Sequence, residues 1–277
     1  MAGTLYLVAT PIGNLEDITL RALRLLGEVD LVAAEDTRRT SILLRHHGIK
    51  TRTTSLHAHN EDRKTPALVE RLVDGDSIAL VSDAGTPLVS DPGRGLVQAA
   101  QKAGVTVVPI PGASAPIAAL VASGAPTTCF RFVGFPPRKL GERRTWCESL
   151  VAASDTTVFF EAPHRLETTL RLLSETIPDR QIAVCREITK LHEELVIGPI
   201  SAIVDQLSRA RGEYTCVVWP ADQALAVPPV RPTAEELAAE VVAVAEVRGS
   251  RRLALKDLAQ KYGLSRRELY SIVESTK

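Results

Sequence analysis

Residues 77–93, SIALVSDAGTPLVSDPG, join a short apolar run to a loop of small, polar and turn-forming residues. The run 77–82 has the pattern of a strand buried on both faces. The segment after it, GRGLVQAAQKAG, has helical periodicity and opens with Pro92 and Gly93. The loop therefore leaves the carboxyl end of a strand and enters a helix, which is where an open α/β sheet binds its ligands. The N-terminus repeats this arrangement: TLYLVA (4–9) reads as a strand, TPIGNLED (10–17) as its loop, and a helical pattern follows. Asn14, with Asp17 three positions on, reads as a helix N-cap. Two helix N-termini are thus expected to offer free backbone N–H groups to an anionic or polar small molecule.

Outward from these loops, strand and helix patterns alternate from residue 4 to about 124. LVAAE, TRTTSL and VTVVPI supply further strands, and helices run to Leu26, to His47 before Gly48, to Val73, to Ala103 and onward from Ser114. This is an α/β domain. From Phe130 the strands lengthen (FRFVGF, TTVFFEA, QIAVCRE, EELVIG, EYTCVVW), with helices expected at about 141–153, 164–176 and 199–210. The chain is therefore read as an N-terminal α/β domain over 1–122, a second α/β domain over 123–226 and a helical segment over 233–277. Val227-Pro-Pro-Val-Arg-Pro232 is the stiff linker before the last. In that segment Ala259, Gly263 and Leu269 stand at helix-turn-helix spacing, with Leu264-Ser265 at the turn. A helical hairpin packed on its own domain shows the same residues, so both readings stay open.

The 277 residues are 45% hydrophobic, enough for a sizeable core. No apolar stretch reaches the ~18 residues of a membrane span. Met1 leads into a strand without a basic leader, so a cytoplasmic location is expected. Cys129, Cys147, Cys185 and Cys216 are scattered without a C-x-x-C pair, which favours buried thiols over a metal site or disulfides. The 33 basic and 33 acidic residues cancel, yet their distribution is uneven. Arg131, Arg138, Lys139, Arg143 and Arg144 face only Glu142 within 131–144, and seven Lys or Arg face Asp257 within 248–267. Two such clusters on a neutral chain favour a phosphate-bearing partner over solvated faces.

The turn Asp83-Ala-Gly-Thr-Pro87 places a carboxylate, a flexible glycine and a hydroxyl in five positions, which suits close backbone approach to a ligand. A plain strand-to-helix turn needs the glycine but explains neither Asp83 nor Thr86. Pro109–Pro116 (PIPGASAP) forms a third loop of fixed path. Ser114 is not a hydrolase nucleophile, because Pro116 stands where the G-x-S-x-G elbow needs glycine. Gln98 spoils the dinucleotide fingerprint begun by Gly93-Arg-Gly95, and the P-loop pattern is absent. His57-Ala-His59 lacks a third ligand and reads as an exposed pair. Three strings that set acid beside base remain at presumed strand ends: Glu35–Arg39, Glu161–Arg165 and Arg186–Glu194. Salt bridges would explain any one of them; three on one rim point to a site.

Seven strings in order carry a family resemblance: LVATPIGNLEDIT (7–19), AEDTRRT (34–40), LVSDAGTPLVSDPG (80–93), PIPGASA (109–115), FVGFPPRK (132–139), FFEAPHR (159–165) and CREITKLHEE (185–194). By these the chain resembles the ribosomal RNA small subunit methyltransferase I family, within the tetrapyrrole methylase-like superfamily. The ending SRRLALKDLAQKYGLSRRELY is similar to that family's too. The resemblance implies two α/β domains with a cleft between them and a homodimer. It also implies transfer of the methyl group of S-adenosylmethionine to the 2'-hydroxyl of a cytidine in the decoding region of 16S rRNA in the small ribosomal subunit. Carried over by motif, the cofactor contacts are Pro11, Asp83, Ala84, Gly85, Thr86, Pro87, Ser114 and Ala115, with Phe160 and Tyr214 closing the pocket.

A ribose hydroxyl is a poor nucleophile at neutral pH, so a base or alkoxide-stabilising cations should help, and most of the catalysis can come from alignment. Glu161 and Glu187 are the candidate bases. Arg165, Arg186 and Lys190 are candidate alkoxide or phosphate contacts, and His164 suits either role. No metal is required. Arg138, Lys139, Arg143 and Arg144, with Arg251, Arg252, Arg266 and Arg267 in the tail, are candidate RNA contacts. The alternatives are a superfamily methylase acting on a corrin or porphyrin precursor, a non-catalytic RNA-binding assembly factor, and a helix-turn-helix regulator with a ligand-sensing domain.

Overall fold

A computed structural model describes residues 2–204, 206 and 211–221, and beyond these residues 237, 240, 241, 244, 250, 254, 255, 258, 269, 270, 272 and 273. The chain divides into two compact units, Met1–Ala221 and Asp222–Lys277.

Two five-stranded sheets build the first unit. The first contains β1 (Thr4–Val8), β2 (Leu31–Ala34), β3 (Thr53–Ser55), β4 (Ile78–Val81) and β5 (Thr106–Ile110) in the order β3-β2-β4-β1-β5, and every pairing is parallel. The helices α1 (Leu20–Glu28), α2 (Thr37–His46), α3 (Glu61–Val73) and α4 (Arg94–Lys102) make the crossovers. β4 shows why both faces had to be apolar. Ile78 and Leu80 pack with Leu68, Leu72 and Leu96, while Ala79 and Val81 pack with Leu25, Leu26 and Leu44 on the other side. The connection leaving β1 runs toward β2 and β3, whereas the one leaving β4 runs toward β5. The sheet therefore changes direction between β1 and β4, which places the topological switch point at the two loops singled out by sequence. Thr10 and Gly85 join these loops through a reciprocal pair of backbone hydrogen bonds, each of 2.9 Å.

The second sheet contains β6 (Phe130–Phe132), β7 (Thr156–Glu161), β8 (Gln181–Arg186), β9 (Glu194–Pro199) and β10 (Tyr214–Val218), ordered β6-β7-β10-β8-β9. Only β6 and β7 are parallel; the other pairs are antiparallel. One face buries Phe159, Val184 and Cys216 with residues of α6 (Leu140–Ser149), α7 (Pro163–Thr176) and α8 (Ile200–Ile203). Leu170 is wholly buried there, and its truncation to Ala should cost about 2–5 kcal/mol. The opposite face is covered by α5 (Ala115–Ser123), whose Ala119 and Leu120 pack on Val158, Ala183 and Val217. A boundary at 122–123 puts α5 with the first sheet, yet its buried face completes the core of the second. The two sheets share one compact unit for this reason.

Several local expectations change. Asn14 caps only a single 3-10 turn, Leu15–Asp17, and α1 begins later behind the Thr19 cap. Only Ile200–Ile203 of the helix expected over 199–210 lies in α8, and residues 207–210 are outside the described residues. In the second unit Leu237, Val241, Leu255, Leu258, Leu269 and Val273 are helical and share one apolar cluster. The proline-rich linker and four positions of the helix-turn-helix reading, Ala259, Gly263, Leu264 and Ser265, lie outside the described residues, as do Arg251, Arg252, Arg266 and Arg267. Among the described residues, no helix is long and apolar enough to cross a membrane.

Candidate functional site

The loops at the switch point form one wall of a cavity of about 380 Å³, within the range of small-molecule sites. Ile12, Ala84, Gly85 and Thr86 line it from the first sheet, with Val89, Ser90 and Asp91 further along the β4–α4 loop. Ser114, Ala115 and Pro116 add the N-terminus of α5. The second sheet supplies Phe160, Glu161, Ala162 and Pro163 after β7, Ile188 and Lys190 after β8, and Gly212 to Thr215 at the start of β10. Phe135, half-exposed after β6, tilts against Phe160 with ring centroids 5.5 Å apart.

Seven of the ten residues expected to hold a cofactor lie in this wall: Ala84, Gly85, Thr86, Ser114, Ala115, Phe160 and Tyr214. Three do not. Pro11 and Pro87 are buried as props of their loops. Asp83 turns away to the β2–α2 loop, where its carboxylate accepts from the Asp36 N–H at 2.9 Å and meets Arg39 at 3.6 Å. Gly85 has φ +78, and a Cβ there would stand 3.2 Å from Ile12 Cγ2, so the glycine both permits the turn and keeps the wall open. Thr86 donates its hydroxyl to the Ala113 carbonyl at 3.1 Å, locking the second loop to the third.

The expected anion site at the start of α4 is already filled from within. Glu61 accepts from the backbone N–H groups of Gly93, Gly95 and Leu96 at 3.1, 2.6 and 3.3 Å. Its carboxylate takes the place a ligand's phosphate or carboxylate would occupy.

Four non-glycine residues in left-handed backbone occur among the described residues: Leu88 (φ 73), Ser90 (φ 72), Glu187 (φ 49) and Thr189 (φ 67). All belong to the two loops that face one another across the cavity. Such strain costs about 1–3 kcal/mol per residue and concentrates at functional sites. The loop after β8 also closes on the loop after β1. Thr189 Oγ1 accepts the Asn14 N–H at 3.1 Å, and a Cβ on Gly13 would lie 2.4 Å from Lys190 Cγ.

The candidate catalytic residues separate by environment. Glu161 lines the cavity, but its carboxylate is spent: it accepts from Ala162 N–H at 2.8 Å and Thr169 Oγ1 at 2.6 Å and pairs with Arg165 at 3.1 Å, wholly buried. Arg165 also donates to the Pro136 carbonyl at 2.6 Å, so this pair fixes the loop before α6. Burial pulls the Glu187 carboxyl up, but hydrogen bonds from Lys190 Nζ and the Glu213 N–H, 2.9 Å each, outweigh it and hold the group below the ordinary carboxylate range. Glu187 is therefore a weak base. Lys190 reaches the cavity wall with its ammonium shared between Glu187 and Glu213. Arg186 is turned to Glu194 and the Arg211 carbonyl, and His164 is exposed; neither lines the cavity.

Of the basic cluster at 138–144, Arg143 is a structural residue and not a surface cation. It is buried and donates to the carbonyls of Pro137 and Arg138 at 2.9 Å and to Thr169 Oγ1 at 3.3 Å. Lys139 pairs with Glu142 and Arg144 with Glu175 on the surface, and Arg138 is exposed without an acidic partner among the described residues. The thiols of Cys147, Cys185 and Cys216 are buried and Cys129 is exposed; no group of three potential ligands suited to a metal occurs among the described residues. Sequence reasoning missed Asp91 and Phe135, although both lie inside the quoted strings 80–93 and 132–139, and it missed Gly212 and Glu213, which no motif marks.

A family profile described as Tetrapyrrole (Corrin/Porphyrin) Methylases matches residues 4–204. The ribosomal RNA small subunit methyltransferase I of Halalkalibacterium halodurans is 48% identical over 78% of this chain and 75% of its own length. That of Streptococcus pyogenes serotype M3 is 43% identical over 97% of this chain and 94% of its own length. The fold is similar to that of the Thermus thermophilus uroporphyrin-III C-methyltransferase solved with S-adenyl homocysteine. That likeness has a TM-score of 0.56 at 19% identity and covers 78% of this chain and 97% of that one. The chain thus belongs to the tetrapyrrole methylases, in the family of ribosomal RNA small subunit methyltransferase I.

Proposed function

We propose that this protein methylates small-subunit ribosomal RNA with S-adenosylmethionine, at the 2'-hydroxyl of a cytidine in the decoding region. The observation that carries the reading is the cavity where the switch-point loops meet the rim of the second sheet, in a chain that shares most of its length with methyltransferase I relatives.

The wall suits the cofactor. Ile12, Val89, Ile188 and Phe160 offer apolar surface to an adenine ring, Ser114 and the backbone at Gly212 offer polar contacts, and Asp91 and Glu213 suit a cationic ligand. When bound, S-adenosylmethionine supplies an electrophilic methyl group on a sulfonium sulfur. The chain's part is alignment and exclusion of water, because in-line transfer draws most of its rate from holding two reactants in register. The strained loops 88–90 and 187–189 are braced by Thr86, Thr189 and the Glu187–Lys190–Glu213 group, which suits that task. Phe135 presents a half-exposed ring beside Phe160, a stacking surface for an unstacked base. A homodimer belongs to the same proposal, and sedimentation of the purified protein tests it.

The deciding experiment incubates the protein with radiolabelled S-adenosylmethionine and unmodified small ribosomal subunits, then maps the label by nuclease digestion and mass spectrometry. A 2'-O-methylcytidine in the decoding region is expected. Cofactor binding without transfer to subunits would point instead to a small-molecule methylase, and absence of cofactor binding would overturn the enzymatic reading.

A further inference from the structure

We propose that Glu35 and His57 read the base of the target nucleotide, Glu35 accepting from the cytosine amino group and His57 donating to its ring N3; this deepens the reading above and rests on it. The adjacent parallel strands β2, β3 and β4 end side by side, with Ala34 opposite both Ser55 and Val81. Beyond these ends the Leu56 N–H donates to the Ala34 carbonyl at 2.7 Å and the Glu35 N–H to the Val81 carbonyl at 3.3 Å. Glu35, His57 and Asp83 therefore leave the sheet together, and Asp83 runs straight into Ala84 of the cavity wall. The loops after β2 and β4 begin with three carboxylates. Asp36 is engaged by Arg38 at 2.6 Å, and Asp83 by the Asp36 N–H and Arg39. Half-buried Glu35 has only a long hydrogen bond, from the Asp83 N–H to Oε2 at 3.4 Å, and no ion pair among the described residues, so Oε1 is left to accept.

His57 supplies the donor. Of the expected exposed pair only His59 is exposed; His57 is half-buried and stands beside Glu35. Buried Asn60 fixes its tautomer. Asn60 Oδ1 accepts the His57 backbone N–H at 2.9 Å, so the amide nitrogen is the atom 3.0 Å from His57 Nε2. That nitrogen can only donate, so Nε2 accepts and the neutral ring carries its proton on Nδ1. His57 Nδ1 is buried and has no hydrogen-bond partner among the described residues, a vacancy that a ligand acceptor would fill.

An acceptor beside a donor complements the Watson–Crick edge of cytosine, whose amino group donates and whose N3 accepts. Uracil presents the reverse, a carbonyl O4 and an N3–H, and would set acceptor against acceptor and donor against donor. Unstacked RNA bases are read by such edge contacts together with stacking on aromatic rings. Both surfaces adjoin one segment here: Asp91 neighbours Glu35, and a Cβ on Gly134, next to Phe135, would lie 3.5 Å from Ser90 Oγ.

The test uses full-length protein, S-adenosylmethionine and two sets of unmodified small subunits, one with the target cytidine and one assembled with uridine in its place, alongside S-adenosylhomocysteine affinity by calorimetry. Wild type should prefer the cytidine subunits by about 100-fold or more in kcat/KM. Glu35→Gln, which exchanges an acceptor oxygen for an amide donor, should lower kcat/KM on cytidine by about 10- to 100-fold and narrow the preference by about tenfold or more. Asn60→Asp removes the donor to Nε2, moves the ring proton there and turns Nδ1 into an acceptor, so it should narrow the preference in the same way. S-adenosylhomocysteine affinity should stay within about threefold of wild type in both. A cytidine-to-uridine ratio within about threefold of wild type in Glu35→Gln would overturn the assignment, as would a loss of S-adenosylhomocysteine affinity that matches the loss of rate, or a wild type that methylates both subunits equally. If wild type transfers no methyl group to cytidine subunits, the parent reading fails and this one with it.

Discussion

Glu61 Oε1, at the first position of α3, accepts the backbone N–H of Gly95 in the first turn of α4 at 2.6 Å. The contact is a helix cap supplied by another helix. It spends the dipole of α4 on the protein's own carboxylate, so the switch-point cavity is shaped by that helix start without using it as an anion site. Replacing Glu61 with Ala should orphan the N–H groups of Gly93, Gly95 and Leu96 and cost about 1–2 kcal/mol of stability, read by urea denaturation. Gly95→Ala should act in the same direction, because its Cβ would stand 2.9 Å from Glu61 Oε1. An unchanged urea midpoint in Glu61→Ala would show that solvent caps the helix equally well.

Arg143 and its surface neighbours should separate in their effects. Arg143→Ala leaves the buried Thr169–Glu161–Arg165 network short of a donor and frees the carbonyls of Pro137 and Arg138, so a loss of about 3 kcal/mol or more is expected. Arg138→Ala and Lys139→Ala should change stability by less than about 0.5 kcal/mol and reduce the salt dependence of RNA binding. Filter binding across a salt series, paired with thermal melts, distinguishes the two classes. Equal salt slopes in wild type and the Arg138/Lys139 double variant would remove this cluster from the RNA-binding surface.

Asp91 should trade stability for its position. Its folded value of about 6 lies above the ordinary 3.8, so the folded chain holds the proton more tightly than the unfolded one. The associated stability is complete below about pH 4 and is lost as pH rises through about 6. Asp91→Asn should therefore be more stable than wild type at pH 8, by about 1–2 kcal/mol once partial exposure is discounted. The difference should shrink as the pH falls toward 4. Urea midpoints of the two proteins at pH 4.5, 6 and 8 check this, and a variant less stable at pH 8 would mean that the carboxylate is favourably solvated.

The sequence by itself determined the parallel sheet and the loops at its carboxyl-end rim, whereas the strand order that makes them the switch point came from the tertiary structure. Short apolar runs such as 78–81, bounded by turn residues, read as strands covered on both faces, and a parallel sheet must place its βα loops on one rim. Local signals of that kind depend on neighbours within a few residues, so Gly85 and Thr86 were legible from the turn itself, and Ser114 only through the family resemblance. Tertiary structure alone decided what each charged side chain does. Asp83, Glu161, Glu187 and Arg143 look equally available in sequence, yet one faces the β2–α2 loop, one is buried against Arg165, one is held by Lys190 and one braces Pro137. Glu161 and Arg165, and Glu187 and Lys190, lie 4 and 3 residues apart inside strings that the sequence marks without saying whether they pair or serve a ligand, and the partner of Asp83 lies 47 residues away with no local pattern to mark it. Burial and pairing, the two terms that set whether a carboxylate is a base or a brace, exist only once the loops of both sheets have met.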